Sequence, residues 1–106
     1  MAVDVAAEKQ ASDIVLLDVR GICSFTDYFV ICTGDNERQL ITILDETRLK
    51  LKKAGIQPHH EEGRMNSGWM LLDYGDVVVH IFSEIERNYY DLDGLWQNGK
   101  RILTIQ

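Results

Sequence analysis

The chain has 106 residues, a length that suits one compact domain built on a single hydrophobic core. Hydrophobic residues make up 45% and charged residues 26%, which is the composition of an ordinary globular protein rather than a disordered one. The formal net charge of -6 argues against a protein that binds nucleic acid mainly by neutralising phosphates.

The first half of the chain predicts a helix, two strands and a longer helix. Val3 to Gln10 has helical spacing, and Ile14 to Val19 is an apolar run typical of a buried strand. Gly21 to Thr26 is expected to be a loop. Tyr28 to Thr33 is aromatic and β-branched, which favours a central strand. Glu37 to Ala54 then carries a broad apolar face at helical spacing.

Local signals mark both ends of that long helix. Asn36 is the expected N-cap, and Gln39, three residues later, is its expected capping-box partner. Gly55 follows a run of basic residues and is expected to end the helix at the C′ position.

The second half is dominated by a predicted hairpin, with strands from Trp69 to Tyr74 and from Val77 to Phe82. The segments around it are less regular. We expect a short strand at 56–59 and a polar loop at 61–68. After the hairpin we expect an irregular stretch with short helical turns at 84–96 and a tail of undefined form at 100–106. This order of elements implies an α/β domain with a mixed β-sheet packed with helices.

The two faces of the hairpin differ in composition, because side chains alternate along a strand. An even-numbered loop places a purely aliphatic set on the face expected to meet the long helix: Met70, Leu72, Val77, Val79 and Ile81. The opposite face mixes apolar and polar side chains: Trp69, Leu71, Asp73, Val78, His80 and Phe82. Either the C-terminal segment covers this second face, with His80 and Asp73 hydrogen-bonded beneath, or part of it binds a partner.

Acidic residues are concentrated around the same region. Between Gln57 and Asp93 lie eight acidic and two basic residues, whereas charges elsewhere nearly cancel. Such a region can steer the protein to a basic partner, or it can simply be a solvated surface. Aromatic and leucine side chains between Tyr89 and Trp96 lie among these acids, which fits an interface anchor with a charged rim and equally a cap over the sheet.

The sequence offers little for catalysis. The run His59 to Glu62 contains potential metal ligands, but adjacent side chains in an extended segment point apart. Nothing brings Cys23 and His80 together as a nucleophile pair, and no Gly-rich phosphate loop is present. Two cysteines cannot form a disulfide framework, and neither a signal peptide nor a membrane-length apolar run is evident. We therefore expect a cytoplasmic binding protein without catalytic residues, metal or cofactor.

Four segments, in order, resemble the signature of the Iojap family of ribosomal silencing factors: Thr26–Gly34, Glu62–Gly63, Trp69–Phe82 and Arg87–Trp96. The resemblance covers about residues 3 to 97. The departures are mild. The first helix is a few residues short, Asp35 and Asn36 replace a small hydroxylic residue near the cap, and Asp93 replaces a glutamate.

The resemblance implies a fold related to nucleotidyltransferases without their activity, and this chain lacks a Gly-Ser followed by a D-x-D carboxylate pair for Mg²⁺. It also implies binding to the large ribosomal subunit through ribosomal protein number fourteen. The bound factor would block the small subunit and lower translation when nutrients are scarce. Family members are often homodimers when free. The alternatives are a divergent nucleotidyltransferase-like enzyme and a plain dimerisation protein.

Because the net charge is acidic, we expect contact with protein and little direct contact with RNA. The predicted partner-binding residues are six apolar anchors and three acids that supply charge complementarity. The anchors are Trp69, Leu71, Tyr89, Tyr90, Leu95 and Trp96. The acids are Asp73, Asp91 and Asp93.

Overall fold

The computed structural model describes residues 11–63, 68–90 and 100–105. The helix predicted from Val3 to Gln10 lies outside these ranges. The described residues form six strands and two helices. The strands are β1 Ser12–Asp18, β2 Tyr28–Gly34, β3 His60–Glu62, β4 Trp69–Asp73, β5 Val77–Ser83 and β6 Lys100–Ile105. The helices are α1 Glu37–Lys53 and α2 Glu84–Tyr90.

All six strands belong to one sheet, in the order β3-β4-β5-β2-β1-β6. The central strands β2 and β5 pair in parallel, with Tyr28 opposite Val77 and Gly34 opposite Ser83. The other pairs are antiparallel. The predicted α/β class with a mixed sheet is therefore confirmed. Helix α1 lies in the crossover that the parallel pair requires.

Helix α1 has the predicted caps. The Asn36 side chain accepts a hydrogen bond of 2.8 Å from the backbone N–H of Gln39. The Gln39 side chain in turn accepts a hydrogen bond of 2.5 Å from the backbone N–H of Asp35, one residue before the cap. Gly55 ends the helix with a φ of 83°, a left-handed conformation that glycine adopts without strain.

The main core lies between α1 and one face of the sheet. Met70 pairs with Ile81, and Leu72 pairs with Val79, which confirms the predicted aliphatic face of the hairpin. These side chains join the buried residues of α1 and of the neighbouring strands in one cluster: Ala11, Ile14, Val30, Cys32, Leu40, Ile43, Met70, Leu72, Val79 and Ile81. The opposite face of the sheet is therefore left for other contacts.

Two segments at the sheet edges differ from the prediction. The strand expected at 56–59 instead spans His60–Glu62 and overlaps the segment 61–68 that was expected to be a loop. Its pairing begins where His60 lies opposite Asp73. All three β3 residues are exposed, so the strand carries no hydrophobic alternation that would have revealed it. The tail of undefined form is also a strand, because β6 pairs with β1.

The irregular stretch expected after the hairpin begins as a regular helix, α2. The Ser83 hydroxyl accepts a hydrogen bond of 3.2 Å from the backbone N–H of Glu86 and so caps the first turn. The pattern Ser83-Glu84-Ile85-Glu86 is an S-x-x-E helix start, a signal that the sequence does contain.

Candidate partner-binding surface

The face of the sheet opposite α1 carries a second apolar cluster. Its buried members are Val15, Leu17, Val19, Phe29, Ile31, Val78 and Phe82. Trp69 and Leu71 pack against its edge and remain half-buried. In the β4–β5 register, Trp69 lies opposite Phe82 and Leu71 lies opposite His80. The predicted mixed face of the hairpin is thus confirmed.

Trp69 is fixed in place by aromatic contacts. Its ring stacks on Phe82, with centroids 5.2 Å apart and an angle of 22° between the rings. The indole Nε1–H donates a 3.2 Å hydrogen bond to Nδ1 of His80. The edge of the His80 ring in turn meets Phe29, with centroids 5.0 Å apart. A half-exposed tryptophan is therefore held rigidly, which lowers the conformational entropy lost when it contacts a partner.

His80 is 5% exposed, and burial lowers its pKa from 6.5 to about 4. The imidazole is therefore neutral at pH 7 and carries one proton. Since Nδ1 accepts from the indole of Trp69, that proton is on Nε2. The buried Nε2–H has no hydrogen-bond acceptor among the described residues. A buried donor of this kind is unusual in folded proteins.

A depression of about 300 Å³ opens on this face next to His80, and we call it the His80 pocket. It is lined by Phe25, Phe29, His60, Glu62, Trp69, Leu71, Asp73, Val78 and His80. Phe25, which is 62% exposed, belongs to the loop between β1 and β2. Glu62 and Asp73 bring two carboxylates to its lining, on the edge strand β3 and its neighbour β4. The pocket therefore combines apolar walls and negative charge, and it borders the buried His80, whose Nε2–H has no acceptor among the described residues.

Helix α2 presents further apolar side chains. Ile85 and Tyr89 are four residues apart on the same helical face, and each is 78% exposed. Arg87 fixes the helix against the sheet, because its guanidinium donates to the Thr33 hydroxyl at 2.9 Å and to the Asp13 carbonyl. The exposed side of α2 is thus held in a defined position.

The structure brings three of the nine predicted site residues together: Trp69, Leu71 and Asp73 all line the His80 pocket. Tyr89 lies on α2, exposed as the prediction requires. The side chain of Tyr90 and all of Asp91, Asp93, Leu95 and Trp96 lie outside the described residues. Whether the C-terminal segment covers this face therefore stays a prediction.

Four residues that line the pocket were predicted neither as partner-binding residues nor on the mixed face of the hairpin: Phe25, Phe29, His60 and Glu62. Val78 and His80 were predicted on that face but not as partner-binding residues. The alternation of β2 would have placed Phe29 on the correct face. Phe25 reaches the pocket from a loop, and His60 and Glu62 reach it through the pairing of β3 with β4. No local pattern predicts either arrangement.

Other groups considered in the sequence analysis lie among the described residues. The His60 imidazole lies 2.8 Å from the Glu62 carboxylate, and no metal-binding group of three ligands occurs within the described ranges. Asp73 accepts a 2.8 Å hydrogen bond from the backbone N–H of Gly75, so it also shapes the hairpin turn. No described helix is both long and apolar enough to cross a membrane.

We expect Gly63→Ala to lower the free energy of unfolding by about 2 kcal/mol or more. Gly63 has a φ of 109°, and an added Cβ would lie 2.4 Å from the Trp69 carbonyl oxygen. Urea denaturation would measure the loss. Gly55→Ala is the matched control, because its φ is also positive but its Cβ would meet nothing within 4 Å. An equal loss of unfolding free energy in the two variants would show that the steric contact with the Trp69 carbonyl does not affect stability.

Comparisons with known proteins agree on one family. The whole chain, residues 1–106, matches the family model described as "Ribosomal silencing factor during starvation". It is similar to the ribosomal silencing factor of Halalkalibacterium halodurans, with 40% identity over 96% of this chain and 87% of the relative. For the Bacillus subtilis factor the identity is 44%, over 84% of this chain and 75% of the relative.

Two solved structures are similar to this chain in both fold and sequence. A crystal structure of a Chromobacterium violaceum protein superposes with a TM-score of 0.86 at 33% identity, covering 100% of this chain and 88% of that one. A second crystal structure, from Bacillus halodurans, has a TM-score of 0.80 at 37% identity and covers 99% of this chain and 92% of that one.

Proposed function

Because the chain belongs to the family of ribosomal silencing factors, we propose that it represses translation by binding the large ribosomal subunit and preventing the small subunit from joining. The contact is made with ribosomal protein number fourteen, on the surface that faces the small subunit. The bound factor acts as a steric block. It works in the cytoplasm, where the subunits join, and is a homodimer when free.

The observation that carries this proposal is the rigid, half-exposed Trp69 beside an apolar pocket. Interface anchors are typically aromatic side chains that are held in place before binding. The exposed Ile85 and Tyr89 of α2 add apolar surface in the same C-terminal half of the chain. Such exposed apolar groups, in a protein with a net charge of -6, fit a basic protein partner.

A regulatory role rather than an enzymatic one is supported by the chemistry of the described groups. The buried thiol of Cys32 has its pKa raised by desolvation to about 12, so it is not a thiolate at neutral pH. His80 is neutral and has its Nδ1 engaged by Trp69, so that nitrogen is not available as a general base. Cys32 is instead part of the main core, and His80 holds the indole of Trp69.

The proposal is tested by sedimentation of purified ribosomal subunits. We expect the protein to migrate with large subunits and not with small subunits alone. Added before the subunits are mixed, it should reduce the fraction of joined ribosomes. Protein that stays at the top of the gradient, or unchanged joining at saturating protein, would rule the proposal out. Adding the protein after joining is the control for dissociation of existing ribosomes.

A further inference from the structure

We propose that the His80 pocket receives one apolar side chain of the protein partner and that Nε2–H of His80 donates a hydrogen bond to a partner carbonyl next to that side chain. This inference rests on the proposed function, since it describes how the silencing factor recognises its ribosomal partner. It assigns a recognition role to His80 and Phe25, which the sequence did not predict as site residues.

The pocket walls specify an apolar occupant. Five of its lining residues are large and apolar: Phe25, Phe29, Trp69, Leu71 and Val78. The volume of about 300 Å³ lies at the lower end for small-molecule sites, which extend to roughly 1,000 Å³. It suits one large side chain with part of its backbone. Filling the pocket would remove the exposed Phe25 and the half-buried Trp69 from water together.

The hydrogen-bonding state of His80 specifies an acceptor. Tryptophan can only donate, so the bond from Trp69 to Nδ1 fixes the neutral imidazole with its proton on Nε2. That N–H is buried in a residue that lines the pocket, and no described residue accepts from it. A backbone carbonyl beside the inserted side chain provides the missing acceptor, since every residue of the partner carries one.

The charges around the pocket specify a protein segment with basic flanks. Glu62 and Asp73 line the pocket, no lysine or arginine is among its described lining residues, and the His60 imidazole lies 2.8 Å from Glu62. Carboxylates repel a phosphate backbone and attract lysine or arginine. The pocket therefore disfavours ribosomal RNA and favours a protein segment in which an apolar side chain lies next to a basic residue.

Two substitutions at His80 test the hydrogen bond in the sedimentation assay. In His80→Asn the amide oxygen can still accept from Trp69, but no donor remains near the position of Nε2. In His80→Gln the longer amide places an N–H near that position. We expect large-subunit binding to weaken about tenfold or more for the asparagine variant and clearly less for glutamine. Wild-type affinity in the asparagine variant, or equal losses in both, would overturn the assignment of the donor.

Phe25 and Ile22 give a matched pair for the apolar part of the pocket. Both belong to the β1–β2 loop and are exposed, but only Phe25 lines the pocket. Neither truncation removes a buried side chain, so both variants should fold. We expect Phe25→Ala to weaken large-subunit binding about fivefold or more and Ile22→Ala to change it less than twofold. Equal effects would contradict insertion at the pocket.

A photo-crosslink identifies the chemical class of the occupant. With p-benzoylphenylalanine in place of Phe25, irradiation of the complex with large subunits should attach the chain to a ribosomal protein. Attachment to ribosomal RNA instead, or none while binding persists, would overturn the inference. Wild-type protein that fails to bind large subunits would refute the proposed function itself. Normal wild-type binding with unaffected His80 and Phe25 variants would refute the pocket alone.

Discussion

Trp69→Ala is expected to weaken binding to the large ribosomal subunit by about 2 kcal/mol or more, roughly thirtyfold in affinity. The substitution removes the half-exposed indole that stacks on Phe82 and borders the His80 pocket. It also removes the donor to Nδ1 of His80, which frees the imidazole to change its tautomer and orientation. Titration of large subunits followed by sedimentation would give the affinity.

Part of the effect of Trp69→Ala will be on stability, because the indole is half-buried against the second cluster. Trp69→Phe helps to separate the effect on stability from the effect on binding. Phenylalanine keeps the stacking on Phe82, but it has no N–H to donate to His80. Leu49→Ala is the control for an exposed apolar side chain, because Leu49 lies on α1, which packs on the other face of the sheet. We expect it to bind normally.

Trp96 completes this test, because it is the other predicted tryptophan anchor and lies outside the described residues. If Trp69→Ala and Trp96→Ala both fold and both bind large subunits as well as the wild-type protein does, the assignment of the partner-binding surface is wrong. If only one of the two variants binds large subunits more weakly, the tryptophan replaced in that variant is the anchor.

Local patterns predicted most of the central fold. The apolar runs gave β1 and β2, the N-cap at Asn36 and the stop at Gly55 gave α1, and alternation gave the hairpin. The sequence predicted β3 too early, at 56–59, and left β6 without a defined form, because both edge strands depend on pairing with β4 and β1 rather than on a hydrophobic pattern of their own. At α2 the sequence predicted only short helical turns in an irregular stretch, although the helix-start signal at Ser83 is present.

The candidate site was predictable only where it lies on the hairpin. Side-chain alternation correctly placed Trp69, Leu71, Asp73 and His80 on one face. The contribution of Phe25 depends on how a loop folds back, and that of Glu62 depends on the β3–β4 register. The proton position on His80 depends on a bond to Trp69 across two strands, so it follows from register and geometry together.

The second large effect is a loss of stability on acidification. Between pH 7 and pH 4, His80 alone is expected to lower the free energy of unfolding by about 3 kcal/mol. Burial lowers the pKa of its imidazole from 6.5 to about 4 in the folded protein. As the pH falls below 6.5, the unfolded chain binds a proton that the folded chain does not, and the equilibrium shifts toward unfolding. The effect is absent above pH 7 and is complete below pH 4.

The variant His80→Gln isolates this contribution, because glutamine does not titrate. The other titratable groups that line the pocket are His60, Glu62 and Asp73, and all three remain in the variant. Urea denaturation at pH 7, 5.5 and 4 should therefore show a steeper loss for the wild-type protein than for the variant, with the difference growing toward pH 4. Parallel losses in the two proteins would mean that His80 is readily protonated in the folded state. The imidazole would then bring a positive charge to the pocket, and it would repel the basic flank on which recognition of the partner depends.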